Sequence, residues 1–194
     1  MNFLAHFYLS NFNEDLIVGN FIADSVKGKQ LLQFSEEIQR GIILHRSIDN
    51  FTDNHPIVMK TKESLRLKHG KFSPVISDII YDYFLASNWK KYSLVPLKLY
   101  SSSIYKTLGK NILIFPLDAQ ITFTYMVKNN WLYNYSHYAG ISKALKGISK
   151  RTNYQNNMHE APETLLENKE EYKQHFFEFF PDLINHANGI INSI

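Results

Sequence analysis

Apolar positions along the chain recur three and four residues apart, and nowhere do they settle into the two-residue alternation of a half-buried strand. Serine, proline and glycine divide this pattern into segments of helical length, which predicts an all-α fold. One helix is expected over about 15–32. The next opens at Ser35, a suitable N-cap, with Glu36 and Glu37 in the first turn, where the helix dipole favours acids. It should end near Asn54, because Pro56 cannot continue it. A third runs from Pro56 to Gly70, and Ser73-Pro74 launches a fourth to about Trp89. Further helices are predicted near 94–108, 116–134, 137–150 and 162–178, the last resuming after Pro181. No repeat, linker or low-complexity stretch interrupts them, so residues 1–194 read as a single-domain helical bundle.

Composition narrows the chemistry. A chain of 194 residues buries roughly 70% of its unfolded surface and folds without disulfides or a stapling metal. With no cysteine it has no thiolate nucleophile, zinc ribbon or iron–sulfur cluster. Its eight glycines are dispersed, which removes glycine-rich phosphate loops. The opening MNFLAHFYLS lacks a basic segment and is followed by Asn13, Glu14 and Asp15, so it does not read as a secretory leader. No apolar run approaches the ~18 residues that suggest a membrane span, and a cytoplasmic location without membrane contact is expected.

The net charge of +3 conceals an uneven distribution. Residues 1–89 carry nine Lys/Arg against ten acids, and residues 152–194 carry two against seven. Between them, residues 90–151 carry ten Lys/Arg and one acid, Asp118. Such a block is either a set of solvated helix faces or a docking surface for an acidic partner. Nucleic acid is disfavoured, because the acidic C-terminal block would oppose a phosphate backbone and no reader motif is present.

Polar residues interrupt the most apolar helices. The fourth carries Asp78 and Asp82 four residues apart, hence on one face. Burying an unpaired carboxylate is expensive, so these acids either pair with neighbouring helices or line a cleft that holds a cation. On the second helix His45, Asp49 and Asp53 fall at i, i+4 and i+8. Helix-borne His and Asp at that spacing can ligate one divalent ion. His6, in an apolar leader, and Asp24, after Val18–Ala23, are further candidates, although each also reads as a buried hydrogen-bonding histidine and a helix cap. With no thiol to compete, this ligand set suits Mn²⁺ or Mg²⁺. Such an ion polarises a phosphoryl oxygen and activates water, which points to phosphoester hydrolysis, with Lys27 and Arg46 as candidates for phosphate contact.

MNFLAH at the start, GNFIADSVKG at 19–28, GIILHRSIDNFTDNHP at 41–56 and DIIYDYFLASNW at 78–89 together resemble the acyl carrier protein phosphodiesterases. The resemblance is carried by the first half of the chain. It implies a helical enzyme, related to the HD phosphohydrolases, that hydrolyses the phosphodiester between 4′-phosphopantetheine and a carrier serine with the help of a divalent ion, typically Mn²⁺. The positions it carries over are His6, Asp24, His45, Asp49, Asp53 and Asp82. HD enzymes have adjacent His and Asp, whereas His45 and Asp49 are a turn apart. The family commonly has His after the Asp at 82, and this chain has Tyr83. The resemblance makes acyl carrier protein, an acidic protein, the expected partner. Lys90, Lys91, Lys98, Lys106, Lys110, Lys143, Lys146, Lys150 and Arg151 then become its expected dock. Two other functions fit the residues: hydrolysis of a small nucleotide or other phosphoester, and non-catalytic binding of a carrier.

Overall fold

The computed structural model describes residues 1–193, and among them every regular element is a helix. The elements are α1 (Phe3–Tyr8), α2 (Glu14–Ile22), α3 (Glu36–Asn54), α4 (Pro56–His69), α5 (Ser73–Ser87), α6 (Leu97–Lys110), α7 (Leu117–Lys128), α8 (Trp131–Asn134), α9 (Tyr138–Arg151), α10 (Ala161–Glu167) and α11 (Lys169–Ser193). Short 3₁₀ turns connect several of them. The buried apolar side chains form one continuous cluster to which nearly every helix contributes. No described helix is long and apolar enough to cross a membrane.

The caps are those expected from local chemistry. The Ser35 hydroxyl accepts from the Ile38 N–H at the start of α3, and the Asn13 side chain accepts from the Leu16 N–H at the start of α2. Pro56 occupies the first turn of α4, and Gly70, at φ +55°, ends it in a conformation that favours glycine.

The elements differ from the sequence reading at several places: α1 was not expected, and the segment expected over 162–178 divides at Asn168 into α10 and α11. The helix expected over 15–32 stops at Ile22, where the chain turns through Ala23–Ser25 and extends at Val26 before the turn Gly28–Gln33. The segment expected over 116–134 divides into α7 and α8 because Asn130 takes a left-handed conformation, φ +44°. Pro181 lies inside α11 rather than stopping it. A mid-helix proline costs about 3 kcal/mol locally. Here Tyr172, Phe176, Phe179, Phe180, Leu183 and Ala187 are buried along one side of the helix, and their packing outweighs that cost.

One helix crossing positions the candidate site. A Cβ on Gly19 would collide with the Ile38 carbonyl and stand 2.8 Å from the Gly41 Cα, and one on Gly41 would stand 2.6 Å from the Leu16 carbonyl. Glycine at both positions therefore lets α2 and α3 meet backbone to backbone, which brings Asn20 of α2 beside His45 of α3.

Candidate metal centre

His6 enters the site from α1, which is held from the opposite side by α5. Both oxygens of the fully buried Asp82 receive backbone N–H groups from the first turn of α1: Leu4 at 2.8 Å and Ala5 at 3.3 Å. Burial pushes the Asp82 carboxyl up to about 7, against the lowering effect of those hydrogen bonds. Asp82 was expected among the metal ligands. Instead it caps α1, and its oxygens are occupied by a helix terminus whose free N–H groups need an acceptor.

His6, His45 and Asp49 form the tightest group, each with a ligand atom within 4.8 Å of the others'. The two imidazoles stack with centroids 4.2 Å apart. Asp49 spans both: its Oδ1 lies 3.1 Å from His6 Nε2 and its Oδ2 lies 3.0 Å from His45 Nε2. Asp24, at the turn that ends α2, reaches His45 Nε2 at 3.3 Å and leaves 85% of its side chain exposed. The early end of α2 thus swings Asp24 onto the site and opens it to solvent.

The tautomer of His45 follows from its surroundings. Asn20 is 1% exposed, and its Nδ2 donates to the His6 carbonyl at 3.1 Å and to Ser10 Oγ at 3.2 Å, which fixes its Oδ1 as an acceptor. That oxygen lies 3.0 Å from His45 Nδ1, so Nδ1 carries a proton and the neutral ring has its lone pair on Nε2. Nε2 is buried and has no aligned hydrogen bond, although two carboxylates stand beside it. Such an arrangement calls for a cation, and a divalent ion fits: one imidazole lone pair and two carboxylates converge, and the far side of the ring is held by an amide oxygen. Without an ion, a proton takes that place. Burial disfavours the charged ring, but Asp24 and Asp49 outweigh it and lift His45 to about 9.

His6 behaves differently. Its Nε2 donates to the Met1 carbonyl at 3.2 Å, and burial together with neighbouring His45 lowers it to about 4. It is a neutral ring that holds Asp49. The Asp49 carboxyl, despite burial, is pushed well below its ordinary range by the two histidines. Asp24 is lowered as well, chiefly through its contact with His45.

The remaining candidates are scattered. Asp78 faces the Met1 amino nitrogen at 3.2 Å and is pushed up by burial, while Met1 stands between it and Asp49 at 3.8 Å. Asp53 turns away to Lys62 Nζ at 2.7 Å, so only two of the three aligned groups on α3 meet. Arg46 Nη2 donates to the Val26 carbonyl at 2.9 Å, which keeps it beside the Asp24 turn, and exposed Lys27 follows that turn. Tyr83, one position and about 100° around α5 from buried Asp82, packs against Phe84 instead of entering the cluster. Among the docking cations, Lys143, Lys146, Lys150 and Arg151 share one cleft along α9. Lys90, Lys91 and Lys98 lie apart, on the turn Trp89–Lys91 and at the start of α6, with Lys91 over the Phe177 ring at 4.3 Å. Lys106 and Lys110 lie further along α6, where Lys110 pairs with Glu14 at 3.3 Å.

Sequence reasoning passed over Asn20. Its signal was an amide inside the apolar run Leu16–Ala23, a position that requires hydrogen-bond partners.

A family model described as acyl carrier protein phosphodiesterase matches residues 1–183. The chain is 29% identical over 192 residues to a protein of that name from Photorhabdus laumondii subsp. laumondii, covering 97% of this chain and 96% of that protein. It is 28% identical over 194 residues to one from Enterobacter sp. (strain 638), covering 97% and 98%. One from Yersinia pestis is 31% identical over 158 residues, covering 78% and 79%. No solved structure matches the chain.

Proposed function

This chain belongs to the acyl carrier protein phosphodiesterase family, and on that premise we propose that it is a metal-dependent enzyme of the cytoplasm. Its reaction is hydrolysis of the phosphodiester between 4′-phosphopantetheine and the carrier serine, which releases apo-carrier and free phosphopantetheine. The observation that supports the metal is the His45 Nε2 lone pair, left without an aligned partner between Asp24 and Asp49.

His45, Asp49 and Asp24 hold the ion, Mn²⁺ or Mg²⁺, and His6 orients Asp49. When bound, the ion supplies Lewis acidity to a phosphoryl oxygen and lowers the pKa of water. The chain's own residues do the rest. Asn20 keeps the His45 proton on Nδ1 and thus frees Nε2. Exposed Asp24 marks the open side from which a bulky protein substrate reaches the ion. Arg46 and Lys27, beside that opening, pair with phosphate oxygens. The relation to HD phosphohydrolases holds in this reading with one alteration: a His and an Asp four residues apart on α3 take the place of an adjacent pair.

Release of phosphopantetheine from holo-carrier by the purified protein in Mn²⁺ tests the proposal. Release that a chelator abolishes and Mn²⁺ restores is expected. No release at any metal or salt concentration, beside an active control enzyme, refutes it.

A further inference from the structure

Lys62, on α4, is the one lysine or arginine that is buried among the described residues, at 8% exposed. An ammonium is costly to remove from water, so a buried lysine needs a compensating partner. Its Nζ donates to Asp53 Oδ1 at 2.7 Å, but Asp53 leaves 65% of its side chain in solvent. Water screens a pair with so open a partner, and the pair alone accounts for little of the burial. An ammonium carries three N–H donors, and among the described residues only Asp53 accepts from this one. Two donors remain for a ligand.

The position of Lys62 is fixed from behind. Neighbouring Thr61 is fully buried, and its Oγ1 lies 2.8 Å from both the Tyr81 hydroxyl and His175 Nδ1, which pins this turn of α4 against α5 and α11. Asp53 follows Asp49 by one turn of α3, about 6 Å along the axis. Asp24 meets α3 at His45 and Lys62 meets it at Asp53, so the two flank Asp49 along the helix. Lys62 is also felt at Asp78, where burial raises the carboxyl and the Met1 amino group and Lys62 act against that rise.

Charge gives this placement a use. Asp24, Asp49, Asp53 and Asp78 crowd one face with carboxylates, and a phosphodiester is itself an anion. Arg46 and Lys27 offset that charge on the Asp24 side only. On the Asp49 side the Met1 amino group is already flanked by Asp78 at 3.2 Å and Asp49 at 3.8 Å. Lys62 is the ordered cation there with donors to spare.

We propose that Lys62 is a substrate-contacting residue, whose ammonium receives a non-bridging oxygen of the phosphodiester, and that Asp53 is the positioning residue that aims it. The contact offsets charge and transfers no proton. This assignment rests on the phosphodiesterase reading above and adds a residue pair to it.

Lys62→Met keeps most of the buried stem and removes the ammonium, and the acid it releases already stands in water, so the denaturant midpoint should stay close to that of the parent. Binding of inorganic phosphate to the Mn²⁺-loaded protein is measured by calorimetry, separately from turnover. Lys62→Met should weaken phosphate binding about tenfold or more, lower kcat/KM for holo-carrier about 30-fold or more, and leave Mn²⁺ affinity within about twofold. Lys62→Arg, which keeps the charge, should restore both losses to within about fivefold of the parent. Asp53→Asn, at an exposed side chain that the fold does not need, should weaken phosphate binding about threefold or more, and full affinity in this variant overturns the positioning role even if Lys62→Met does not fold. Parental phosphate binding in Lys62→Met overturns the proposal. So does loss of Mn²⁺ affinity, because Lys62 would then be supporting a metal ligand, and so does equal damage in Lys62→Met and Lys62→Arg, which marks a structural strut. Phosphate binding that depends on Lys62 in a protein that leaves holo-carrier intact would refute the carrier reading and keep this site. Parental hydrolysis of holo-carrier by Lys62→Met would do the reverse.

Discussion

His45 Nδ1 and Asn20 Oδ1 lie 3.0 Å apart, and this bond between α3 and α2 decides which imidazole nitrogen faces the carboxylates. An isosteric apolar replacement, Asn20→Leu, removes the acceptor and also takes the amide donor from Ser10 Oγ and from the His6 carbonyl, which keeps the Ser10 hydroxyl at 2.9 Å. Mn²⁺ affinity should fall about 10–100-fold, as for other groups that orient a metal-bound histidine. His45→Ala should abolish stoichiometric binding. Titration followed by electron paramagnetic resonance distinguishes the two; unchanged affinity in Asn20→Leu would break the link between the amide and the metal site.

A metal ion held at His45 Nε2 would compete with a proton. The His45 ring is lifted to about 9 in the metal-free protein, so below that pH each bound ion must displace a proton. Apparent Mn²⁺ affinity should therefore rise about tenfold per pH unit from 6 to 8 and level off above about 9. Stability of the metal-free protein has the opposite slope. The folded pKa exceeds the unfolded value, so the contribution of the imidazolium is complete below about 6.5 and is lost as pH rises through about 9. Melting curves in chelator between pH 6 and 10 would show this decline; a flat profile would contradict the protonated pair.

Asp82 and Asp24 exchange roles relative to their prominence in the sequence. Asp82→Ala strips the acceptor from the Leu4 and Ala5 N–H groups at a fully buried position, which should destabilise the fold by about 3 kcal/mol or more. Metal stoichiometry in the fraction that remains folded should persist. Asp24→Asn, at a side chain 85% exposed, should leave denaturant stability nearly unchanged and weaken Mn²⁺ binding. Equal loss of metal in both variants would return Asp82 to the ligand set.

The helical class and the face of α3 were legible because both rest on local periodicity. His45 and Asp49 meet because i and i+4 share a face on any helix. The same rule placed Asp53 beside them and failed, because it carries no information about Lys62, which comes from α4 and pairs with Asp53 at 2.7 Å. Asp78 and Asp82 show the same limit: the rule aligns them, but only the packing of α1 against α5 reveals that Asp82 caps a helix. Asp24 was visible as a polar break after an apolar run, yet its approach to His45 depends on α2 ending at Ile22. That ending is a matter of tertiary fit, since nothing between Ala23 and Val26 forbids a helix.

The Gly19–Gly41 crossing carries a prediction about geometry more than composition. Gly41→Ala places a methyl 2.6 Å from the Leu16 carbonyl and 2.9 Å from the Gly19 Cα, against backbone that cannot rotate away. Forced separation of α2 and α3 should cost about 1–3 kcal/mol. It should also lengthen the Asn20–His45 bond and reduce Mn²⁺ affinity in protein that is still folded. Chemical denaturation with parallel metal titration checks both; a destabilised variant with full affinity would show that the crossing serves stability alone.

The basic edge of the cleft predicts how the substrate arrives. Lys146 and Lys150 lie on α9 with exposed side chains, and Lys143, by contrast, is held by Asn129 Oδ1 at 3.0 Å. An acidic carrier approaching this edge gains attraction over a distance comparable with the ~8 Å Debye length at physiological salt, so association and not the chemical step should respond to charge. Reversing both charges, with Lys146→Glu and Lys150→Glu, should raise KM for holo-carrier about tenfold or more, leave kcat within about twofold, and flatten the salt dependence of kcat/KM. The metal centre is untouched by these changes, so Mn²⁺ affinity should match the parent protein. Steady-state kinetics at several ionic strengths provide the measurement. A fall in kcat with KM unchanged would mean that these lysines act on the reacting phosphodiester itself and not on docking.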